Sequence, residues 1–465
     1  MAVEGRTHKP VVEYDKCETC AVCLQACPAE VVPSMRKEAH SLRGMVYQPL
    51  DLEPRLNLTG VFGLPRCQAA CPIRQDVRGY IRLIAEGKYK EALELIREVN
   101  PLPSVCGYVC HHPCEAACAR GQVDDPLSIR SLKRFLAECD DGSLPPPPVR
   151  DKRNKRVVIV GSGPAGLTAA HALVRKGYES LVIESYSEPG GLLAWAIPGF
   201  RLPAEVLKRD IDHLRRMGVR FRTDTCFGQD MGWEDLRDGN ADAVILATGT
   251  QKSLKMQIRN EADFSGYFDC LAFLRRYKEA QKIPVGSRVL VVGGGSAAVD
   301  SARSAIRLGA AEVTVLYRRG AEEMPAGREE MDDALREGVN IRFLTAPVRM
   351  ITDKMRVEGL ECVRTELRAP DPSGRRKPVP VIGSEFVLPA ETVIAAVGQE
   401  ADDEPLGSMT MDRKNLRTSE RNVFVAGDLV NGPTTVVEAM ASGKRAAEAV
   451  EEYLEGPRER SCGGV

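Results

Sequence analysis

Apolar positions in the second part of the chain come in short continuous runs, each followed by a stretch with helical spacing. The segment RVVIVGSGPAGLTAAHALVRKGYESLVIES, which begins at residue 156, has the pattern of a buried strand, a glycine turn, a helix and a second strand. The segment SRVLVVGGGSAAVDSARSAIRLGAAEVTVLYRRG, which begins at residue 287, repeats that order. Two copies of this unit predict an α/β fold with two dinucleotide-binding domains of the doubly wound type.

The first part of the chain has a different pattern. In VRGYIRLIAEGKYKEALELIREV the apolar residues have helical spacing and Gly87 interrupts them, so two short helices are predicted. The segment LPPPPVRDKRNKR follows residue 143, and its four consecutive prolines favour an extended, solvated linker. We therefore expect a helix-rich region, a linker and then the α/β region.

The first glycine turn has the spacing of a dinucleotide-binding turn. Gly161, Gly163 and Gly166 form G-x-G-x-x-G between the first strand and its helix, and Glu184 ends the second strand. In such a turn the first glycine permits the bend, the second admits a pyrophosphate to the backbone, and the third allows close packing of helix and strand. An acid at the end of the second strand binds ribose hydroxyls. This set predicts a dinucleotide site rather than a purely structural turn.

The second turn differs at the end of its second strand. Gly293, Gly295 and Ala298 form the accepted G-x-G-x-x-A variant. Arg318 and Arg319 follow the second strand, where the first copy has an acid. An acid would repel a 2′-phosphate, whereas an arginine pairs with one, so NADP is favoured over NAD. Arginine also stacks on adenine or lies in solvent, which leaves NAD as the alternative.

Length, charge and apolar content exclude several classes of protein. The 465 residues exceed the roughly 250 to 300 that a single core accommodates, so several domains are expected. The 64 basic and 65 acidic residues nearly cancel, which argues against a nucleic-acid-binding protein. No stretch approaches the roughly 18 apolar residues of a membrane span, and the N-terminal residues lack the apolar segment of a secretory signal. We therefore expect a cytoplasmic protein without a membrane span.

The cysteines are concentrated near the N-terminus: ten of the 15 lie between Cys17 and Cys118. Such clustering in a reducing compartment indicates metal binding rather than a disulfide scaffold. The run CETCAVCLQACP has the spacing of bacterial ferredoxins, in which three cysteines bind one [4Fe–4S] cluster and the fourth binds another. Tetrahedral zinc is the alternative, although structural zinc sites normally place their cysteine pairs farther apart. The cysteines of this run are Cys17, Cys20, Cys23 and Cys27.

Several motifs occur in order between Cys67 and about residue 455: CQAACP, NPLPSVCGYVC, VVIVGSGPAGLTAA, EPGGLLAWAIPGFRLP, VVGGGSAAVDSAR, YRRGAEEMPA and NVFVAGDLVNGPTTVVEAMASGKRAA. In these motifs the chain resembles the glutamate synthase small subunit and its relatives, the flavin- and nicotinamide-binding modules of anaerobic electron-transfer complexes. This resemblance has implications for the cofactor. It implies that FAD occupies the first glycine turn and that the FAD-binding domain resumes near residue 396. The residues that it assigns to FAD are Gly161, Gly163, Gly166, Glu184, Gly190, Gly191, Leu192, Gly427, Asp428 and Thr435.

The resemblance also implies cluster ligands in the helical region. This chain lacks the early cysteine pair of the family, because GVFGLPR precedes Cys67, and it has Lys133 where the family commonly has a glutamate or glutamine ligand. One to three [4Fe–4S] clusters are therefore expected. Cys27 either completes the N-terminal cluster or binds a cluster of the helical region. The candidates of that region are Cys67 and Cys118, which lack their customary partners, and Cys71, Cys110 and Cys114, which can hold one cluster with a fourth ligand.

These patterns together predict the layout of the chain. The fold class is α/β, with two Rossmann-like dinucleotide-binding domains preceded by an α-helical iron–sulfur domain and a short ferredoxin-like segment. The resemblance implies that the FAD-binding domain is discontinuous, because the NAD(P)-binding domain interrupts it. The expected boundaries are 1–40 for the ferredoxin-like segment, 41–144 for the helical domain, 145–155 for the linker, 156–285 and 396–455 for the FAD-binding domain, 286–395 for the NAD(P)-binding domain and 456–465 for a tail.

The expected function is that of an NAD(P)H:acceptor oxidoreductase subunit in a larger complex. Hydride passes between the nicotinamide and FAD, and the flavin exchanges single electrons with [4Fe–4S] clusters, so no further catalytic residue is expected. The expected partners are other redox subunits that contain iron–sulfur clusters or another metal, and the direction of electron flow is open. Two alternatives remain: the small subunit of glutamate synthase, and a structural adaptor that carries a cluster arm without turning over nucleotide.

Overall fold

The computed structural model describes residues 64–146, 152–239, 241–371 and 374–456, together with the backbone of two short N-terminal strands. These strands, β1 (Ala2–Val3) and β2 (Pro10–Val11), pair antiparallel. The chain divides into two compact units, Met1–Leu144 and Pro145–Val465. The first contains short helices, and the second contains the parallel sheets that the two repeated segments predict.

Short helices pack around a small apolar core in the first unit. Gly87, with a φ of 74°, separates two of them, which confirms the two helices predicted for this segment. Asp76 caps the first of the two, because its carboxylate accepts the Gly79 N–H at 3.0 Å. Tyr80 and Ile96 are fully buried in the core. The helices are α1 (Arg66–Ala70), α2 (Val77–Ala85), α3 (Tyr89–Arg97), α4 (Pro103–Val109), α5 (Pro113–Ala116) and α6 (Ile129–Glu138), with a 3-10 turn at Ala119–Gln122.

A seven-stranded sheet carries the first glycine turn. Its apolar runs, such as VVIV after Arg156, are buried on both faces, as expected of parallel strands covered by helices. The strands lie in the order β18-β19-β20-β6-β3-β4-β5, and the five from β20 to β5 are parallel. Their bounds are β3 (Arg156–Val160), β4 (Glu179–Ile183), β5 (Arg220–Arg222), β6 (Ala243–Leu246), β18 (Met411–Asp412), β19 (Arg417–Thr418) and β20 (Val423–Val425).

A five-stranded parallel sheet carries the second turn, and it is built from residues that lie between β6 and β18 in the sequence. The strand order is β11-β10-β9-β16-β8. Because Tyr267–Asp269 is an edge strand here, this sheet begins before residue 286. The strands are β8 (Tyr267–Asp269), β9 (Arg288–Val292), β10 (Glu312–Leu316), β11 (Asn340–Arg342) and β16 (Thr392–Ala395).

Two smaller antiparallel sheets complete the strands of this unit. The long strand β13 pairs with three neighbours between β11 and β16, and the short strand β7 pairs with β17. The strands are β7 (Lys252–Ser253), β12 (Thr345–Asp353), β13 (Arg356–Pro370), β14 (Arg376–Pro380), β15 (Phe386–Pro389) and β17 (Gln399–Glu400).

The helices of the second unit cover its two parallel sheets. The C-terminal helix packs along the helix of the first glycine turn, because a Cβ at Gly443 would lie only 2.0 Å from the carbonyl oxygen of Ala165. The helices are α7 (Pro164–Arg175), α8 (Leu192–Trp195), α9 (Ala204–Arg216), α10 (Trp233–Asp238), α11 (Cys270–Lys278), α12 (Ser296–Arg307), α13 (Arg328–Arg336), α14 (Asp428–Asn431) and α15 (Val436–Glu455), with 3-10 turns at Ala321–Glu323 and Glu404–Leu406.

Candidate cofactor and redox sites

The first glycine turn joins β3 to α7 and is shaped by close backbone contacts. Gly161 has a φ of 102°, and a Cβ there would lie 2.5 Å from the carbonyl oxygen of Ala247. A Cβ at Gly166 would lie 2.0 Å from the carbonyl oxygen of Gly161. Gly163 differs, because no described atom lies within 4 Å of its Cβ position and its φ is −66°. The fold therefore requires glycine at the first and third positions, and the open space at the second leaves the backbone accessible to a phosphate.

Glu184 also lies at this turn, just after β4, and neutral groups donate hydrogen bonds to its carboxylate. Its carboxylate accepts the Ser162 N–H at 3.1 Å and the Tyr186 N–H at 3.0 Å. The Ser162 hydroxyl also donates to this carboxylate, and the same hydroxyl accepts the Gly190 N–H at 2.7 Å. Ser162 was not singled out by the sequence pattern. It connects the glycine turn to the acid and to the segment that follows β4.

The segment after β4 lies against the first turn. Gly191 has a φ of 55°, and a Cβ there would lie 2.9 Å from the Cα of Gly163. Gly190 has a φ of 141°, and its Cβ would lie 2.7 Å from the Leu207 side chain. Leu192 is half-buried at the start of α8. The structure thus brings Gly190 and Gly191 to the first turn, and Leu192 follows them directly.

Gly427, after β20, approaches the first turn from another strand. Its φ is 70°, and its N–H donates to the Ser442 hydroxyl at 2.8 Å. A Cβ at Gly427 would lie 2.7 Å from the Cβ of Ala165, which belongs to the first turn of α7. Glycine is therefore required where the end of β20 meets the start of α7.

Two polar residues follow Gly427 at the starts of α14 and α15. Asp428 accepts the Thr434 hydroxyl at 2.5 Å, and burial raises the pKa of its carboxyl group. Thr435 caps α15, because its hydroxyl oxygen accepts the Glu438 N–H at 3.4 Å and its own N–H donates to the Glu438 carboxylate at 2.9 Å. The partly desolvated Asp428 is well suited to accept a hydrogen bond from a ligand hydroxyl, whereas Thr435 already acts as a helix cap.

The second glycine turn, between β9 and α12, repeats the geometry of the first. Gly293 has a φ of 148°, and a Cβ there would lie 2.1 Å from the carbonyl oxygen of Ala396. The Cβ position of Gly295 is open, with no described atom within 4 Å. Ala298 is fully buried in the first turn of α12. As in the first turn, a side chain is therefore excluded at the first glycine, and the space beside the second glycine is open to a phosphate.

The two arginines after β10 have different environments. Arg319 is 4% exposed, and its guanidinium donates to the Asp371 carboxylate at 2.5 Å and to the Arg376 carbonyl at 2.9 Å. Arg318 is exposed, and its side chain has no hydrogen bond or ion pair with the part of the chain that the structure describes. Arg318 is therefore accessible to an external phosphate, whereas Arg319 is engaged within the protein.

A buried ion-pair network lies beside the second turn, and the sequence pattern did not indicate it. Arg201, from the segment after α8, donates to Asp300 at 2.8 Å and also to Glu330. Glu330 accepts the Ser296 hydroxyl at 2.8 Å and the Gly327 N–H at 3.2 Å. Burial raises the pKa of Asp300 to about 6, although Arg201 acts in the opposite direction. The network connects the segment beside the first turn to the helix that begins at the second.

The five cysteines of the helical unit that are predicted cluster ligands differ in burial. Cys71, Cys110 and Cys114 are buried, whereas Cys67 and Cys118 are half-buried. Burial raises the pKa of the Cys114 thiol to about 12, although Lys133 acts in the opposite direction. Burial likewise raises the pKa of Cys67, although the Gln68 N–H partly opposes it, and the Cys118 thiol adds to the increase. The remaining predicted ligands, Cys17, Cys20, Cys23 and Cys27, lie outside the described residues.

Lys133, on α6, lies beside the buried group of thiols. The residue is 6% exposed, and no described carboxylate forms an ion pair with it. Burial disfavours the charge of this lysine, but Cys106, Tyr80, Cys110 and Cys71 together raise its pKa. The side chain at the position matching a family ligand is thus a buried cation next to the thiols.

The buried thiols are donors of the kind that bind iron–sulfur clusters. Thiolates are the ligands of such clusters, and the His112 N–H donates to the Cys110 sulfur at 3.4 Å, a type of contact that tunes cluster potentials. In the described ranges, no group of three or more His, Cys, Asp or Glu side chains is placed to hold a metal ion. Cys71, Cys110 and Cys114 offer buried thiols, the ligand type of an iron–sulfur cluster.

The two glycine turns on parallel sheets define an oxidoreductase with a flavin site and a nicotinamide site. The chain belongs to the pyridine nucleotide-disulphide oxidoreductase family, whose sequence model matches residues 155–443. A second model, described as dihydropyrimidine dehydrogenase domain II, 4Fe-4S cluster, matches residues 63–143. These matches confirm the predicted fold class and the predicted cofactors FAD, NAD(P) and [4Fe–4S]. Within the described residues, no helix is long and apolar enough to cross a membrane.

Individual relatives agree with this assignment and confirm the predicted family resemblance. The β subunit of NADP(+)-dependent formate dehydrogenase from Moorella thermoacetica is 39% identical over 446 residues, covering 88% of this chain and 61% of that protein. The small chain of NADPH glutamate synthase from Escherichia coli is 35% identical over 423 residues, covering 84% and 89%. The chain spans about six-tenths of the length of the first curated relatives. FprA from Mycobacterium tuberculosis, with a TM-score of 0.57 and 21% identity over 65% of this chain and 85% of that one, shares the fold.

Proposed function

We propose that this chain is a cytoplasmic subunit that moves electrons between a nicotinamide dinucleotide, FAD and [4Fe–4S] clusters within a multi-subunit redox complex. The observation that carries the proposal is the presence, in one unit, of two glycine turns with opposite charges at the neighbouring strand ends, Glu184 and Arg318. One relative is the β subunit of an NADP(+)-dependent formate dehydrogenase and another is the small chain of NADPH glutamate synthase, which supports this function.

The first turn is the proposed FAD site. Its open position at Gly163 admits the pyrophosphate, and Glu184, held in place by Ser162, accepts hydrogen bonds from ribose hydroxyls. FAD supplies a group that accepts hydride from a nicotinamide and releases electrons singly. The other residues proposed to contact FAD are Gly161, Gly166, Gly190, Gly191, Leu192, Gly427, Asp428 and Thr435.

The second turn is the proposed nicotinamide site. Gly293, Gly295 and Ala298 form the pyrophosphate turn, and Arg318 pairs with the 2′-phosphate of NADP. Arg319 is assigned a different role from the one expected from sequence. Because Asp371 and a backbone carbonyl already bind its guanidinium, we propose that Arg319 fixes the strand end from which Arg318 projects.

The helical unit and the N-terminal cysteine run are the proposed path for single electrons. Three buried cysteines hold one [4Fe–4S] cluster, and the ferredoxin-like run holds another. Iron–sulfur clusters carry one electron at a time, which matches what a reduced flavin can deliver. The proposed ligands are Cys71, Cys110 and Cys114 for the first cluster, Cys17, Cys20, Cys23 and Cys27 for the second, and Cys67 and Cys118 as additional ligands.

An anaerobic titration of the full-length, cofactor-loaded chain tests this function. We expect NADPH to bleach the flavin absorbance and then to generate the electron paramagnetic resonance (EPR) signal of reduced clusters. NADH should do so with lower catalytic efficiency. A bound flavin that neither nucleotide bleaches would contradict the proposal and would favour the structural adaptor.

The small subunit of glutamate synthase is the second candidate function. The length of the match favours it, because the match extends over 89% of the Escherichia coli glutamate synthase small chain. Anaerobic purification from the native cells, followed by identification of the accompanying subunits, separates the two candidates. An amidotransferase partner would identify glutamate synthase, whereas a partner with further metal centres, which we expect, would identify a separate oxidoreductase.

A further inference from the structure

Residues 190–201, the linking segment, connect the two glycine turns. At its start, a Cβ at Gly191 would lie 2.9 Å from the Cα of Gly163, the phosphate-facing glycine of the first turn. In its middle, Trp195 and Ala196 are buried in the apolar core that packs on the second sheet. The segment thus begins at the proposed FAD site and continues into the core beside the proposed nicotinamide site.

A charged network holds the far end of the linking segment. Arg201 donates to the Asp300 carboxylate at 2.8 Å and also to the Glu330 carboxylate. Glu330 accepts the Ser296 hydroxyl at 2.8 Å, and Ser296 directly follows Gly295, the phosphate-facing glycine of the second turn. Two successive contacts therefore join Arg201 to the second turn.

The ion pairs of Arg201 are largely removed from solvent. The exposed fractions of the side chains are 11% for Arg201, 4% for Asp300 and 15% for Glu330. Removing one partner of a buried ion pair is far more costly than removing one partner of an exposed pair, because the remaining charge is left uncompensated. Without the guanidinium, both carboxylates would lose this counter-charge beside the site proposed for an anionic pyrophosphate.

Two further contacts attach the same end of the segment to helices that cover the second sheet. The Lys278 ammonium, on α11, donates to the Ile197 carbonyl at 2.7 Å. The Phe200 ring lies against the Arg307 guanidinium of α12, with 3.8 Å between Cζ and the ring centroid. Arg201 adds the buried ion pairs to these contacts, so its removal should loosen the end of the segment.

We propose that Arg201 is a positioning residue for hydride transfer: its pairing with Asp300 and Glu330 holds the linking segment against the second turn and so fixes the nicotinamide relative to FAD. The hydride leaves the nicotinamide with its electron pair and reduces the flavin, while Arg201 exchanges neither a proton nor an electron. The rate of such a step depends steeply on the placement of donor and acceptor. This kinetic role rests on the proposed function, whereas the attachment of the segment does not.

Substitutions in the full-length, FAD-loaded chain test the proposal. Arg201→Met removes the charge at similar length, and Arg201→Lys keeps it. Arg215→Met is the matched control, because Arg215 is exposed on α9 and pairs with Asp212 at 3.1 Å. Glu330→Gln removes one partner of Arg201 and replaces Arg201→Met if that variant does not retain FAD.

The first readout is the accessibility of Trp195, which requires no nucleotide. The chain has two tryptophans, so Trp233→Phe in every variant leaves Trp195 as the reporter. Trp195 is 8% exposed. In Arg201→Met we expect the acrylamide quenching constant of its fluorescence to rise at least about twofold, because the segment opens locally. Arg201→Lys and Arg215→Met should match the parent chain.

The second readout is the anaerobic rate of flavin bleaching at saturating NADPH. We expect this rate to fall at least about tenfold in Arg201→Met, because small displacements of the reacting groups are costly. Arg201→Lys should retain most of the rate, and Glu330→Gln should show a smaller loss than Arg201→Met, since Asp300 still pairs with Arg201. A merely structural role would lower the yield of folded, FAD-loaded chain but not the bleaching rate of the loaded fraction.

Three results with Arg201→Met would overturn the proposal. One is an unchanged accessibility of Trp195, and another is an increased accessibility with a wild-type bleaching rate. The third is an equal loss in Arg201→Lys, because the charge that pairs with both carboxylates would then not be responsible. If Glu330→Gln has to be used instead, unchanged values of both readouts would overturn it.

Failure of the proposed function would look different. In that case NADPH would not bleach the flavin of the wild-type chain. The fluorescence comparison, made without nucleotide, would still show whether Arg201 holds the linking segment.

Discussion

The two glycine turns share one backbone geometry but differ in the charge beside them. Gly161 and Gly293 both have positive φ values, and a Cβ at either would lie within 2.5 Å of the carbonyl oxygen of a neighbouring strand end. The first turn faces the acid Glu184, whereas the second lies near the exposed Arg318. Close packing thus determines the shape of each turn. The side chain at the neighbouring strand end, Glu184 or Arg318, is the reason why we propose a different dinucleotide for each turn.

The largest effect is expected for Gly166→Ala, where packing alone requires glycine. The new methyl group would lie 2.0 Å from the carbonyl oxygen of Gly161. Because backbone must move to admit it, we expect a loss of about 3 kcal/mol in the free energy of unfolding. Denaturant unfolding of the FAD-free chain measures this, and wild-type stability would contradict the packing argument.

Gly163→Ala is the matched substitution at the open position of the same turn. No described atom lies within 4 Å of the new methyl group, and a φ of −66° suits alanine. We expect the stability of the FAD-free chain to change by less than about 0.5 kcal/mol. The Kd for FAD should rise at least about tenfold, since the methyl group occupies the phosphate-facing space. Unchanged FAD affinity, measured by titration of the apoprotein, would show that the pyrophosphate does not approach here.

A buried acid beside the second turn predicts a pH-dependent effect. Burial raises the pKa of Asp300 from 3.8 to about 6. The folded chain therefore binds more protons at Asp300 than the unfolded chain between about pH 4 and 6, so stability from this group falls as the pH rises through that window. For a shift of about two pKa units, the contribution of Asp300 to the free energy of unfolding decreases by at most about 3 kcal/mol.

Asp300→Asn should remove this part of the pH dependence. We expect the unfolding free energy of the variant to fall less between pH 4 and 6 than that of the wild type. Asp332→Asn, at an exposed position of α13, is the control and should keep the wild-type slope. Equal slopes in the Asp300 variant and the wild type would contradict the role of the buried carboxyl group.

The smallest effect is expected on the preference for NADPH over NADH, and it should differ between the two arginines of the second turn. Arg318→Ala should lower the preference for NADPH over NADH about tenfold, equivalent to about 1.4 kcal/mol, because a charge-assisted contact with the 2′-phosphate is lost. Arg319→Ala should leave that preference unchanged and lower the stability, since Asp371 loses its buried partner. Catalytic efficiencies with both nucleotides, together with thermal unfolding, measure this. The assignment fails if Arg319→Ala and not Arg318→Ala changes the preference.

Local spacing was sufficient to predict both glycine turns, because a turn, its strand and its helix lie within about 30 residues. Contacts between distant residues left no such signal. Arg201 meets Asp300 and Glu330 across 99 and 129 residues of sequence, and Arg319 meets Asp371 across 52. The spacing of Arg318 and Arg319 therefore predicted their location but could not distinguish the exposed residue from the engaged one.

Other features of the site depend on tertiary packing in the same way. The sequence pattern did not indicate why Gly294 is a glycine: a Cβ there would lie 2.4 Å from the Tyr317 ring. The sequence identified Lys133 as a departure from the family but contained no indication that it is buried beside thiols. The edge strand Tyr267–Asp269 also could not be assigned to the second sheet, since its partner Thr392–Ala395 lies more than 100 residues later.

A rapid-mixing experiment with NADPH deuterated at the transferred C4 hydrogen tests the central claim most directly. Flavin absorbance and cluster EPR signals are followed after anaerobic mixing with the full-length chain. We predict that the flavin is reduced first, that deuterium slows this phase, and that the cluster signal appears later with electrons from the flavin. Two results would contradict hydride transfer to the flavin as the entry step. One is cluster reduction before flavin reduction. The other is a first phase whose rate is limited by the chemical step and is nevertheless unchanged by deuterium.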